Sequence, residues 1–276
     1  MSIAGGMPQA IARARSVEAT ALQVFVKSAN QWAARPFAAG EVEAYRRAAL
    51  DADLARHTIA HASYLINLAS PADALWEKSI ASFALELSRC RELSIPWLVV
   101  HPGSHVGSGV ERGLARVAAA LDRVLAEVPE GVGVLLEITA GQGAHLGSRF
   151  EELAEMLRVT KRSDRVGVCF DTCHALAAGY EFRDPASYAS MMKAFDAAVG
   201  LDRLLGFHLN DSKGALGSRV DRHEHIGRGQ VGLDGFRQTL TDPRFVDVPM
   251  VLETDKGDDL AEDRVNLGAL RSLVTR

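Results

Sequence analysis

Apolar run after apolar run in this sequence ends in a side chain that can bind a metal or move a proton. His61, His101, Glu137, Asp171 (with His174 close behind), His208 and Glu253 all stand at such ends, and Asp221 and His223 follow in the loop beyond His208. A lone histidine there would most often be a packed, hydrogen-bonded core residue. A lone buried carboxylate would cost several kcal/mol, by order of magnitude, unless paired. So many on one face cannot all be satisfied that way, because Glu137, Asp171, Asp221 and Glu253 would repel one another without counterions. Metal cations resolve the conflict, and imidazole with carboxylate suits zinc, manganese or iron. No cysteine stands among these positions, which argues against a structural zinc site of the cysteine type. Two or three cations about 3.5–4 Å apart are the usual apparatus for phosphoryl displacement. Three of them would also carry the formal charge of −4 to about +2, so an acidic chain could offer an electropositive mouth to a phosphodiester.

Convergence of these residues needs a particular scaffold. The expected strands are Leu22–Lys27, Thr58–His61, Trp97–His101, Gly133–Thr139, Val166–Asp171, Leu204–Asn210 and Met250–Thr254. They are nearly continuous apolar runs, as parallel strands buried on both faces should be. Helical spacing of apolar residues marks Glu41–Arg56, Pro71–Leu93, Val110–Glu127, Phe150–Thr160, Pro185–Val199, Leu233–Leu240 and Asp258–Val274, with Ser70-Pro71 and Asp184-Pro185 as helix starts. Repeated βα units give a parallel sheet, open or closed. In a closed barrel the strand C-termini meet on one face, where active sites sit. The fold expected is an α/β, TIM-type (β/α)8 barrel, one domain over residues 1–276. It lacks its first strand, because the chain opens on Ser2-Ile3-Ala4-Gly5-Gly6 and a helical stretch, Pro8–Glu18, with no strand ahead. The sheet would then have two unpaired edges.

Composition agrees with one large core: 276 residues, 47% hydrophobic and 24% charged. Cys90, Cys169 and Cys173 are odd in number and form no CxxC pair, so a reducing cytoplasm fits better than a disulfide framework. No apolar run reaches the roughly 18 residues of a membrane helix, and no signal peptide is visible, so no membrane partner is expected. A closed barrel would make the chain a monomer.

The motifs resemble those of the endonuclease IV family along almost the whole chain. They are His101-Pro-Gly-Ser-His105, Leu136-Glu-Ile-Thr-Ala-Gly-Gln-Gly143, Gly167-Val-Cys-Phe-Asp-Thr-Cys-His174, Phe207-His-Leu-Asn-Asp-Ser-Lys213, Gly217-Ser-Arg-Val-Asp-Arg-His-Glu-His-Ile-Gly227 and Leu252-Glu-Thr254. The resemblance implies a zinc-dependent DNA-repair phosphodiesterase. It would cut double-stranded DNA on the 5′ side of abasic sites, leave a 3′-hydroxyl and trim blocked 3′ ends. Three zinc ions per chain are implied, with His61, His101 and Glu137 on the first. Glu137 would bridge to the second, completed by Asp171, His208 and Glu253, and His174, Asp221 and His223 would hold the third. Glu137 and Glu253 would orient the attacking hydroxide. Tyr64 and Leu65 match the family loop that enters DNA at the lesion, and Arg222, between two ligands, could face a phosphate. Asn30 stands where the family's neighbouring loop usually carries an arginine. The competing expectations are a sugar isomerase or epimerase on the same barrel, and an inactive relative that only binds damaged DNA.

Overall fold

The computed structural model of the protein describes residues 1–274; Thr275 and Arg276, at the end of the expected domain, lie outside the described residues. Its chain opens on α1 (Met7–Ser16) and then alternates: β1 (Leu22–Phe25), α2 (Glu41–Asp51), β2 (Thr58–His61), α3 (Asp73–Leu93), β3 (Trp97–Val100), α4 (Val110–Glu127), β4 (Gly133–Glu137), α5 (Phe150–Val159) and β5 (Val166–Asp171). Two helices follow directly, α6 (Thr172–Ala178) and α7 (Pro185–Ala198). Then come β6 (Leu204–His208), a small hairpin of β7 (Asp211–Ser212) and β8 (His223–Glu224), α8 (Gly232–Leu240), β9 (Met250–Val251) and α9 (Ala261–Val274). The main sheet has seven strands in the order β1-β2-β3-β4-β5-β6-β9, all parallel.

Strands and helices share one physical division of labour. Between sheet and helices lies the large core, into which α4 sends Leu114, Val117, Leu121 and Val124 at the spacing of one helical face. Inside the curved sheet lies a second apolar layer of Ile59, Val99, Leu135, Cys169 and Val251. Gly206 completes that layer from β6: a Cβ there would lie 2.9 Å from Leu135 Cδ1, so a side chain would have to displace that leucine.

β1 and β9, the two ends of the sheet, have no ladder between them, as expected for a barrel short of one strand. The seam is not empty. Met1 lies in it, its amino group donating to the Gln23 carbonyl, and a cavity of about 70 Å³ remains, lined by Leu22, Leu209, Met250 and Leu270 among others.

Strands β2 and β5 keep the expected bounds, while β1, β3, β4, β6 and most of all β9 end earlier, where the chain leaves the ladder to enter the loops above. Helix α3 starts at Asp73, later than the Ser70-Pro71 signal, because Ser70 Oγ accepts from Ala72 N–H and makes a turn first. Helices α2 and α9 are also shorter than their apolar spacing suggested, ending at Asp51 and starting at Ala261. Asp184 does cap α7, accepting from Ala186 and Ser187 N–H at 3.0 and 3.1 Å.

Below the loops that follow β1 and β2 runs one buried ion pair, Lys27 Nζ to Glu86 Oε1 at 3.0 Å, both side chains at most 2% exposed. The other Glu86 oxygen accepts from Ser63 N–H at 2.9 Å, directly beside Tyr64, and Lys27 also donates to the Gln31 carbonyl. Helix α3 thus fastens both loops through one carboxylate. Removing it strands a buried ammonium. Glu86→Ala should cost about 3–5 kcal/mol, and the double change Lys27→Met with Glu86→Leu should recover most of that. Denaturant titration of the parent and the two variants checks it; equal stability of single and double variants would show that the pair is not the source.

Candidate metal centre

Side chains alternate along a strand, so the residue two places after the inner apolar layer faces the same way, one step nearer the C-terminal mouth. Ile59 leads to His61, Val99 to His101, Leu135 to Glu137, Cys169 to Asp171, Gly206 to His208 and Val251 to Glu253. The same rule applied to β1 leads from Ala21 to Gln23. One turn of the barrel therefore carries a ring of polar groups stacked on a ring of apolar ones. The ladder registers stagger it from strand to strand: Asp171 lies opposite His208, but Glu137 lies opposite Cys169 and His61 opposite Val99.

Glu137, wholly buried, is the hub. Its Oε2 lies 3.1 Å from His61 Nε2 and 3.1 Å from His101 Nε2. Its Oε1 lies 3.1 Å from His208 Nδ1 and 3.1 Å from His174 Nδ1. His208 Nδ1 is also 3.1 Å from Glu253 Oε2 and 3.7 Å from Asp171 Oδ2. Asp171 is held on both oxygens: Oδ1 caps helix α6 by accepting from His174 N–H at 2.8 Å, and Oδ2 accepts from Asn210 Nδ2 at 2.6 Å. His174 Nε2 lies 3.1 Å, and His223 Nε2 3.6 Å, from Asp221 Oδ1.

The donor atoms fall into three groups able to hold an ion: His61, His101 and Glu137; Glu137, Asp171, His208 and Glu253; and Asp171, His174 and His223. The first two coincide with the sets implied by the sequence motifs. The third puts Asp171 where Asp221 was expected, with Asp221 adjoining both of its imidazoles.

Two further facts fit metal rather than hydrogen bonding. His174 Nε2 and His223 Nε2 are buried without a hydrogen-bond partner. The repeated 3.1 Å spacing also matches the ligand-to-ligand edge of a tetrahedral zinc site, roughly 3.3 Å when each ligand is about 2 Å from the ion. The other ring nitrogens have main-chain partners. His61 Nδ1 is 2.8 Å from the Ala62 carbonyl, His174 Nδ1 2.9 Å from that of Ile138 and His223 Nδ1 3.3 Å from that of Glu253. Donating there leaves each Nε2 a lone pair for the interior.

Burial pushes the Glu137 carboxyl up, but the neighbouring imidazoles of His101 and His208 outweigh it and hold it well below the usual carboxylate range. Glu253 is lowered for the same reason, burial opposing and His208 prevailing. The histidines answer in kind. Burial lowers His174 and His208, yet their neighbours raise both well above the ordinary histidine value: Asp171, Asp221 and Glu137 for the first, and the Cys169 sulfur with the Glu253 and Glu137 carboxylates for the second.

Of the residues expected at the DNA, Tyr64 stands on the rim, 66% exposed, its ring 5.9 Å from that of His61. Leu65 is half-buried beside it, and Asn30 is exposed on the adjoining loop. Arg222 is exposed, its guanidinium donating to the Asp221 carbonyl at 2.7 Å. His105 turns back to accept from Gly109 N–H at 3.1 Å, and His225 pairs with Asn266 at 3.1 Å. Gln142, in the glycine-rich loop, accepts from Asp221 N–H at 3.3 Å. The motif reading missed Gln23 and Asn210, because neither is a metal-ligand type. Asn210 accepts from Glu253 N–H at 2.8 Å as well as holding Asp171.

Residues 11–272 match the xylose isomerase-like TIM barrel family model. The chain is 53% identical to the probable endonuclease 4 of Chloroflexus aurantiacus over 278 residues, covering 99% of this chain and 96% of that protein. Identity to the probable endonuclease 4 of Geobacter sulfurreducens is 50%, over 100% of this chain and 93% of that one. The crystal structure of endonuclease IV from Thermus thermophilus matches with a TM-score of 0.87 at 41% identity, over 99% of this chain and 97% of that chain. The chain belongs to the endonuclease IV family. A D-tagatose 3-epimerase-like protein also matches, with a TM-score of 0.68 but 18% identity, over 92% of this chain and 89% of that chain, which shows a shared barrel alone.

For an endonuclease IV family member with these charges, metal uptake has a definite pH dependence. His174 and His208 are raised, so in the metal-free fold they hold protons at neutral pH that must leave before their nitrogens can ligate. Zinc binding should therefore release protons, and its apparent affinity should fall as pH is lowered. Calorimetry in buffers of different ionisation enthalpy measures this; uptake without proton release would show the imidazoles already neutral.

Proposed function

We propose that this protein hydrolyses the phosphodiester on the 5′ side of abasic sites in double-stranded DNA, trims blocked 3′ ends, and does so with three zinc ions. The observation that carries this reading is the set of three donor groups joined through Glu137 and Asp171, with the Nε2 atoms of His174 and His223 buried beside carboxylates without a well-formed hydrogen bond. Ions bound there would act as Lewis acids on the phosphoryl and leaving oxygens and make a nucleophile available at neutral pH.

The chain's own residues supply the rest. Glu137 spans two donor groups and fixes their separation, while Glu253, held from outside, turns one oxygen to the interior. Asp171 couples the second group to the third through the start of α6. Arg222 sets a positive charge beside Asp221, at the mouth where a phosphate would enter. Tyr64 and Leu65 sit on a loop anchored from below, suited to probe a stack that lacks a base, since filling a gap costs less than unstacking a normal pair.

Nicking of a duplex carrying one abasic site, before and after chelation and again after zinc is restored, tests the function; cleavage indifferent to chelator, or absent with three ions bound, would overturn it. Elemental analysis should give about three ions per chain, and one or fewer after supplementation would exclude the trinuclear arrangement.

Glu137→Gln should remove nearly all nicking while the fold persists, because one lost charge disturbs two donor groups together. Near-parental activity would show that Glu137 does not join them. Tyr64→Ala should reduce the preference for abasic over intact duplex, and Asn30→Arg should increase it; unchanged relative binding in both would remove this loop from lesion recognition.

A further inference from the structure

Six strands deliver a potential ligand to the polar ring, and β1 delivers an amide. Gln23 is 9% exposed, and both ends of its amide are used within the site. Its Oε1 lies 2.8 Å from His208 Nε2, and its Nε2 donates to Glu253 Oε1 at 2.5 Å. We infer that Gln23 is a positioning residue for the second donor group, fixing the tautomer of His208 and the rotation of the Glu253 carboxylate so that both aim at one point.

The direction of the relay follows from what each group can do. An ionised carboxylate only accepts, so Glu253 Oε1 fixes which end of the amide carries the NH2. The other end, the amide oxygen, also only accepts. It therefore requires a proton on His208 Nε2, so the proton that leaves to free a lone pair is the one on Nδ1. That nitrogen is the one 3.1 Å from both Glu137 Oε1 and Glu253 Oε2. The opposite tautomer would point a hydrogen at the interior and set two lone pairs against each other at Gln23.

His208 differs here from three other histidines of the site. His61, His174 and His223 commit their outer nitrogens to main-chain carbonyls, which no substitution removes. His208 relies on a side chain, and it is the histidine whose inner nitrogen is Nδ1 rather than Nε2. The second donor group is thus the one whose geometry a single distant strand controls.

This inference rests on the reading of that group as a metal site, and the test separates the two. The full-length chain, stripped with chelator, is titrated with zinc against a competing indicator, alongside Gln23→Met, which keeps length and loses both polar ends. One of the zinc ions should bind at least about ten-fold more weakly in the variant, within the range typical of lost outer-shell partners, while the others load as in the parent. In parallel, long-range proton–nitrogen spectra of the zinc-loaded parent should place the His208 proton on Nε2, protected from exchange with water. Equal zinc affinities in parent and variant, or a parent His208 with its proton on Nδ1, would overturn the role of Gln23 whether or not the variant folds. A parent that takes up no zinc would overturn the metal reading itself and this inference with it.

Discussion

Everything at the mouth of this barrel depends on a carboxylate that water cannot reach. Glu137 is fully buried, and four imidazoles stand 3.1 Å from its two oxygens. A buried charge of that kind is tolerable only with opposite charge and hydrogen bonds around it. Protonated histidines supply the charge when no cation is present, and cations supply it when they are. A metal bound by the same side chains would replace those protons and keep the carboxylate compensated. The raised histidines and lowered glutamates are two faces of that balance.

Much of this was legible in the sequence because a parallel strand buried on both faces leaves so little room for polar groups. Where Val-Leu-Leu runs into Glu137, or Val-Cys-Phe into Asp171, the change of character marks the place where the strand reaches the mouth. Seven strands could be read for the same reason, since each apolar run needs a neighbour. Other features were hidden by the same continuity. Helix α6 follows β5 without a break, and its Cys-His-Ala-Leu-Ala-Ala stretch reads as more of the same apolar run. The β7–β8 hairpin is two residues long on each side, too short to leave a pattern. Gln23 escaped because a search for ligands passes over an amide. The signal was nonetheless there: a polar residue inside Leu-Gln-Val-Phe, where an apolar strand buried on both faces should carry none.

The loops above the ring are not free to follow a ligand wherever it leads. Asp211, fully buried, accepts from the N–H groups of Gly227, Gly229 and Val231 at 2.8–3.0 Å. That carboxylate closes the long excursion that carries Asp221 and His223, so the third donor group has a fixed base although its loop is long. Gly229 could bear no Cβ, which would collide with the Ser212 carbonyl. The loop is therefore packed by its backbone, and its side chains, Arg222 among them, are left to face outward.

The same logic bears on how the rim would meet DNA. Tyr64 is exposed at its tip, but the residue before it is tied through Glu86 to Lys27, and Ser63 Oγ donates to the Ala29 carbonyl. The two loops nearest the proposed lesion are thus one preformed unit. Ordering them on binding would cost little, because the backbone is already fixed. Discrimination between damaged and intact duplex would then come from the DNA, which opens more readily where a base is missing. With Asn30 rather than a long cation beside it, that unit has a ring to offer the gap and less charge to hold the strands apart. Under the proposed function, selectivity would accordingly lean on Tyr64 and on the stiffness of its anchor more than on electrostatic grip.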